Sequence, residues 1–272
     1  MPRRRAGLGA VIAGGAIVVL VALLGAAAPL VTSASPYTTD LDARLAPPDH
    51  AHPLGQDALG RDVLARLLRG ARISLGTGIA ITAISLLVGV LLGAAAGYAG
   101  GWLDEALARV IDVLLAFPGL LLAIALAAIL GPSLPNVVLA LSLLGWTGYA
   151  RLARAQVAAL RQRELTQAAR ALGATPSRII GRHLLPLAAP AIVVQATFGL
   201  SSAILAEASL SFLGLGAPPP LPSWGSMLDE GRQFMLVAPH LVIVPGLALV
   251  GTVLALQLLG DGLQRMLDTR ER

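Results

Sequence analysis

Residues 73–103 read ISLGTGIAITAISLLVGVLLGAAAGYAGGWL, from Ile73 to Leu103, without one charged side chain. A helix needs about 20 consecutive apolar residues to cross a hydrocarbon core of about 30 Å. The stretch exceeds that need and reads as a membrane span. Composition points the same way, because 56% of the residues are apolar and only 13% are charged, whereas soluble domains carry about 25% charged. Water is therefore not the solvent for most of the chain, and the formal charge of +5 has to be read through topology. Aromatic residues make up 4% of the chain, too few for the stacking platforms that bind single-stranded nucleic acid.

On either side of this span the same pattern recurs. Ala6–Thr39 carries no charge until its end and holds a first span near Gly9–Val31. Arg3-Arg4-Arg5 ahead of it resembles the start of a signal peptide. The apolar run outlasts a signal core, however, and Pro29 makes Ala26-Ala27-Ala28 a poor cleavage site, so it reads as an uncleaved span. Val113–Ala150 is uncharged over 38 residues, and Gly131-Pro132-Ser133-Leu134-Pro135-Asn136 divides it into a third and a fourth span. His183–Ala206 supplies the fifth and Gln233–Gly260 the sixth. The fold class is all-α: a polytopic membrane protein of six transmembrane helices. Phe117-Pro118-Gly119 predicts a kink in the third span, because proline removes a backbone hydrogen bond. Arg109 and Asp112, three residues apart, are spaced to pair.

Arginine sets the orientation. With the N-terminus inside, inner segments hold 14 Arg and outer segments six, the asymmetry expected of cytoplasmic loops. Both termini and the loop Arg151–Pro186 then lie in the cytoplasm. All 20 basic residues are Arg; the chain has no Lys and no Cys. Without Lys there is no phosphate-binding P-loop, so any ATP-driven role requires another subunit. Without Cys, disulfides and thiolate metal sites are excluded.

Three local patterns stand out. Leu59, Val63, Leu64, Leu67 and Leu68 recur at helical spacing in Gln56–Gly70, which predicts an amphipathic elbow at the outer surface ending at Gly70. Gly89, Gly93 and Gly97 recur every four residues, which makes a flat face for close helix packing. The loop Arg151–Pro186 carries seven Arg against one acid and reads as two short helices. The first runs through Arg161–Leu172 and ends at Gly173. The second is capped by Thr175 with Pro176 at its first position and runs to Leu184. Such a helix–Gly–helix knob presents Ala168, Ala169 and Leu172 to a groove on a partner. A hairpin lying flat on the membrane, its Arg side chains reaching to phosphates, is the plainer alternative.

Gln167-Ala168-Ala169, three residues, Gly173, nine residues, then His183-x-Leu185-Pro186 resembles the EAA loop of ATP-binding-cassette importer permeases. Gln167 stands where that family usually has Glu, and His183 where it has Ile. Arg170, Leu172 and Glu164 belong to the same segment, and Glu164 can offer the missing carboxylate one turn earlier. His52-Pro53-Leu54-Gly55-Gln56-Asp57 with Gly60-Arg61-Asp62 is similar to the segment before the core spans of the peptide/nickel branch. Glu207-Ala208-Ser209-Leu210-Ser211-Phe212-Leu213-Gly214 with Pro222-Ser223-Trp224-Gly225 is similar to its segment after the fifth span. The resemblance covers Pro53–Gly260.

The resemblance implies one N-terminal helix (residues 1–39 with the tail), an external segment (40–72), a five-helix type I core (73–263) with its loop at 151–186, and a tail (264–272). It implies an importer of di- or oligopeptides, or of a related solute such as a nickel complex. The partners implied are a second permease chain, two ATP-binding subunits holding ATP and Mg, and an extracytoplasmic solute-binding protein. The location implied is the plasma (inner) membrane of a bacterium or archaeon. This chain itself is expected to bind no cofactor and to perform no catalysis.

Glu207 is the one acid in a long uncharged region and is suspect by default. A gate or packing role, a substrate contact and proton coupling all remain open for it. The last would make the chain a secondary transporter, the rival reading, although no internal repeat supports that. His50 and His52 are too few to hold a metal and read as ordinary loop residues. Pro218-Pro219-Pro220-Leu221-Pro222 is a stiff connector that, with Ser223-Trp224-Gly225, could face a binding protein.

Overall fold

The computed structural model describes the backbone of residues 2–267 and the side chains of residues 7–267. Met1, the side chains of Arg3-Arg4-Arg5, and Asp268–Arg272, with Arg270 and Arg272, lie outside the described residues. Among the described residues the ordered structure is helical, apart from one isolated bridge between Gln56 and Asp62.

Helix α1 (Pro2–Ala26) and the short α2 (Ala28–Val31) lead into an irregular segment. Asp62 then starts α3 (Val63–Ala99), its Oδ1 accepting from the Ala65 amide at 2.6 Å. At 37 residues, α3 is about 55 Å long and outruns a hydrocarbon core of about 30 Å. Its first turns, with Arg66, Arg69 and Arg72, extend beyond that core. The elbow expected over Gln56–Gly70 is not there: Gln56–Asp62 is a turn, and α3 passes through Gly70 unbroken. Packing explains this. A Cβ at Gly70 would lie 3.2 Å from the Trp224 ring, and the indole Nε1 donates to the Leu67 carbonyl at 3.2 Å. That contact offsets the roughly 1 kcal/mol cost of an interior glycine.

Gly100, at φ 69°, ends α3, and α4 (Gly101–Leu115) and α5 (Gly119–Leu130) follow. They meet at 81° around Phe117-Pro118. Proline cannot donate and forces its predecessor out of helical geometry, so the third span is a broken pair rather than a helix with a mild kink. Helix α6 (Leu134–Arg161) is capped by Ser133, whose Oγ accepts from the Asn136 amide at 3.2 Å. Asn136 in turn donates to the carbonyls of Leu130 and Gly131, tying α5 to α6.

The glycines of α3 fix its relation to α6. A Cβ at Gly89 would lie 2.5 Å from the Trp146 carbonyl oxygen, and one at Gly97 would lie 2.5 Å from that of Arg154. Gly93 faces the Ala150 carbonyl between them. Residue numbers rise together on both helices, so α3 and α6 are parallel. The chain between them must therefore return to its starting side, and α4–α5 is that return.

The loop after α6 holds α7 (Glu164–Ala171) and α8 (Pro176–Ile179). One π-helical turn (Ile180–Leu184) joins α8 to α9 (Leu185–Phe212), so this helix is continuous from Pro176. The second loop helix therefore does not stop at Leu184. The wide turn passes the Leu185 amide to the Ile180 carbonyl just before Pro186, which has no N–H to offer. The Thr175 side chain makes no cap bond and meets the Ser177 hydroxyl instead. Helices α10 (Trp224–Arg232) and α11 (His240–Leu267) complete the chain. α11 runs antiparallel to α1: Gly7 meets Gly262, and Gly14 meets Ala255 and Leu259.

Four helices are long and apolar enough to cross a membrane, or up to five with α4–α5 as one broken span. Helix α6 stands apart because its second half turns polar. There Asp104 of α4 pairs with Arg154 at 2.5 Å, in place of the expected Arg109–Asp112 pair.

Candidate functional site

The end of the bundle where α3 and α6 finish carries a projecting peg. Its base is a cluster of Ala94, Val157, Leu160, Ile179, Leu184 and Ala188, with Tyr98, Ala169 and Ala174 packed on it. Thr166 is buried, and its hydroxyl donates to the Leu160 carbonyl at 3.0 Å. Arg161 donates to the Tyr98 carbonyl at 2.7 Å, and the Arg170 guanidinium lies 5.3 Å from the Tyr98 ring centre. The peg is thus clamped to α3 through one tyrosine.

The end of α7 explains Gly173. The Ala174 amide donates to Ala169 and the Gly173 amide to Arg170. These are the two bonds of a Schellman motif, which needs a left-handed residue at the glycine position. Gly173 supplies it at φ 80°. The sequence grouped Ala168 with Ala169, but the two lie on different faces of α7. Ala169 packs inward, while Ala168 is exposed beside Leu165 and Leu172. Leu172 is 88% exposed, so the outer face of α7 is an apolar stripe at helical spacing. Glu164 and Gln167 are exposed on the same short helix. Leu185 packs on the base cluster and Pro186 is exposed.

Glu207 has a different setting. It is fully buried near the far end of α9, and the Ser211 hydroxyl donates to its Oε1 at 2.6 Å. The hydroxyls of Ser74 and Ser223 lie close to the same carboxyl. Trp224 closes the cluster, its amide donating to Ser74 Oγ at 3.3 Å. Trp224 and Gly225 are thus an internal brace between α3, α9 and α10. The expectation that they face outward with the proline connector is corrected.

Nearby, the turn before α3 is locked by charge. Arg61 pairs with Asp57 at 2.6 Å and with Glu230 at 2.5 Å; Arg66 meets Asp57 at 3.3 Å and Glu230 at 2.9 Å. His52 bonds to Asp62 at 2.7 Å.

Sequence reasoning missed a cavity within the helix bundle. About 350 Å³ of space lies between α3, α5, α6 and α9. Its polar lining is Thr82, Ser85, Tyr149, Gln195 and Ser202, with Phe198 among the apolar walls, and no charged side chain lines it. The α9 lining residues, Gln195, Phe198, Gly199, Ser202, Ala203 and Ala206, form one helical face. Glu207 is not part of that face. The side-chain oxygens of Thr82, Ser85 and Tyr149 are buried without a hydrogen-bond partner. The only sequence signal for this site was a sprinkling of hydroxyl and amide residues through apolar helices.

Residues 89–272 match the family described as binding-protein-dependent transport system inner membrane component. This chain belongs to that family. It is 48% identical over 223 residues to a glutathione transport system permease protein, GsiD, of Pectobacterium atrosepticum, covering 82% of this chain and 74% of the relative. It is 44% identical over 248 residues to a dipeptide transport system permease protein, DppC, of Alkalihalophilus pseudofirmus, covering 91% and 82%. The fold resembles a chain of the MetNI methionine ABC transporter in an inward-facing crystal form, with a TM-score of 0.58 and 22% identity over 76% of this chain and 96% of that one. The chain is therefore a multi-pass inner-membrane permease of an ABC importer. The rival secondary transporter is not supported, and the permease is a transport component rather than a catalytic one.

Proposed function

We propose that the permease forms half of a path for di- or oligopeptides or a similar solute, and that the α7–α8 peg receives the stroke of a separate ATPase. The observation that carries the first part is the set of unpartnered hydroxyls at one uncharged cavity. Buried polar atoms are seldom left unpaired, and amide-rich cargo would complete them. A lining without charge lets a zwitterionic peptide pass without being trapped by an ion pair, and leaves selectivity to a binding protein. The same lining disfavours a bare nickel cation and suits only a complex that hides the metal's charge.

The peg supports the second part. An exposed apolar stripe on a helix seated rigidly against α3, α6 and α9 can be gripped from outside and can move those helices together. In this reading the peg and both termini face the cytoplasm and a second permease chain completes the path. Two ATPase subunits supply ATP and Mg, and this chain holds no cofactor. Gly89, Gly93 and Gly97 keep α3 and α6 moving as one unit. The assembled transporter tests the reading. A cysteine at Leu172 should crosslink to the ATPase subunit, and Gly173→Val should lower both crosslinking and peptide-stimulated ATP hydrolysis. Full stimulation in Gly173→Val, or labelling of the Leu172 position by an impermeant reagent outside intact cells, would overturn it.

A further inference from the structure

The five arginines of residues 40–72 do not share one fate. Arg44 lies over the Phe234 ring, 5.7 Å from its centre. Arg61 and Arg66 are neutralised by Asp57 and Glu230. Arg69 and Arg72 have no acidic partner among the described residues, and both line one cavity of about 390 Å³. They sit one helical turn apart, on the same face of α3. The Arg69 Nε–H is buried and has no hydrogen-bond acceptor, a costly state for a charged donor.

The cavity lies between the end of α1, α2 and the start of α3, at the bundle end remote from the peg. Gly25 and Pro29 form its apolar floor, and Thr32 and Tyr37 add polar side chains. No acidic residue lines it. Thr32 Oγ1 accepts from the Ala34 amide at 3.1 Å, which leaves its hydroxyl hydrogen free to donate. Next to the cavity, Leu30 is 89% exposed and Val31 46% exposed. A paired cationic pocket beside uncovered apolar side chains at a span end matches a phospholipid, whose phosphate and acyl chains are joined. Guanidinium groups bind phosphate oxygens through paired N–H donors.

We propose that Arg69 and Arg72 hold the phosphate of an anionic phospholipid headgroup in the leaflet remote from the peg, tying α1 to α3. The probe is phosphatidylglycerol, added to the assembled, delipidated transporter in neutral detergent and followed by native mass spectrometry. Wild type should retain it in preference to phosphatidylcholine. Arg69→Gln with Arg72→Gln should weaken retention roughly 30-fold, from about 1 kcal/mol per arginine at a lipid surface. Arg109→Gln, at the other membrane face, should leave it unchanged. If the double variant fails to assemble, Arg72→Gln alone serves, because Arg72 is exposed; it should weaken retention about five-fold. Equal retention by wild type and the Arg72 variant would overturn the proposal. So would displacement of the lipid by millimolar inorganic phosphate, which would mark a free-anion site. Loss of lipid with peptide transport intact would leave the site standing, since it is independent of the transport reading.

Discussion

The end of the permease remote from the peg and the cavity between α3, α5, α6 and α9 bury polar groups of different kinds. At the first, the buried side chains of Asp57, Arg61, Asp62, Arg66 and Glu207 are charged or acidic and each has at least one partner within the chain, although Arg66 Nη1, Glu207 Oε2 and Arg69 Nε have none. At the cavity, Thr82, Ser85 and Tyr149 keep oxygens buried and unpaired. Paired charges specify one arrangement, because separating them leaves an uncompensated ion. Unpaired neutral hydroxyls specify none. The contrast separates a fixed frame from a working surface, and substitutions in the two places should fail in different ways.

The largest effect belongs to Arg66. It is 1% exposed and bridges the turn after Gly55 to α10 through Asp57 and Glu230. Arg66→Met leaves Arg61 alone against the two carboxylates, with one negative charge uncompensated, and should cost about 3 kcal/mol, seen as a lower thermal midpoint and poor yield of the purified complex. Removing both sides, with Arg66→Met and Glu230→Gln together, should recover part of the loss. If Arg66→Met leaves the midpoint in place while lowering transport, the end remote from the peg is working surface and the contrast fails.

Gly93 comes next. Any side chain there meets the Ala150 backbone, so Gly93→Leu must push α3 from α6 at a cost of about 1–3 kcal/mol. Because α6 lines the cavity through Tyr149 and α3 through Ser85, this change should lower both stability and transport. A variant with native thermal midpoint and native uptake would show that the two helices do not need this close approach.

The legibility of these regions in the sequence followed range. Apolar runs announced the spans, and Pro118 announced the break between α4 and α5, since both act through neighbouring residues. The bend of 81° was not readable, because its size depends on what α4 and α5 pack against. Gly89, Gly93 and Gly97 declared a flat face, but only the fold names α6 as its neighbour. The elbow was misread because Gly70 looks like a helix end until Trp224, 154 residues later by number, is packed against it. Within the peg, the position of Gly173 was legible from local chain geometry. Which of Ala168 and Ala169 packs inward required knowing where α3 and α9 lie. The cavity was invisible, since a serine or threonine in a membrane helix looks the same whether it bonds its own backbone or a hollow.

The smallest effect is the sharpest test of the contrast. Tyr149 brings a phenol oxygen into the cavity wall against Gly199, and that oxygen has no hydrogen-bond partner. Tyr149→Phe deletes one atom group and keeps the ring in place. If the hydroxyl served the frame, its loss would cost stability. If it waits for cargo, the folded state sheds an unsatisfied polar group and the thermal midpoint should hold or rise. Transport should weaken by one neutral hydrogen bond, about 0.5–1.5 kcal/mol, or roughly two- to twelve-fold in the peptide concentration for half-maximal uptake. Both readings come from one preparation, with a melting curve and an uptake titration in proteoliposomes. A fall in midpoint with unchanged uptake per folded transporter would assign Tyr149 to the frame. It would also leave the cavity without the neutral hydroxyl that sets it apart from the charged end remote from the peg.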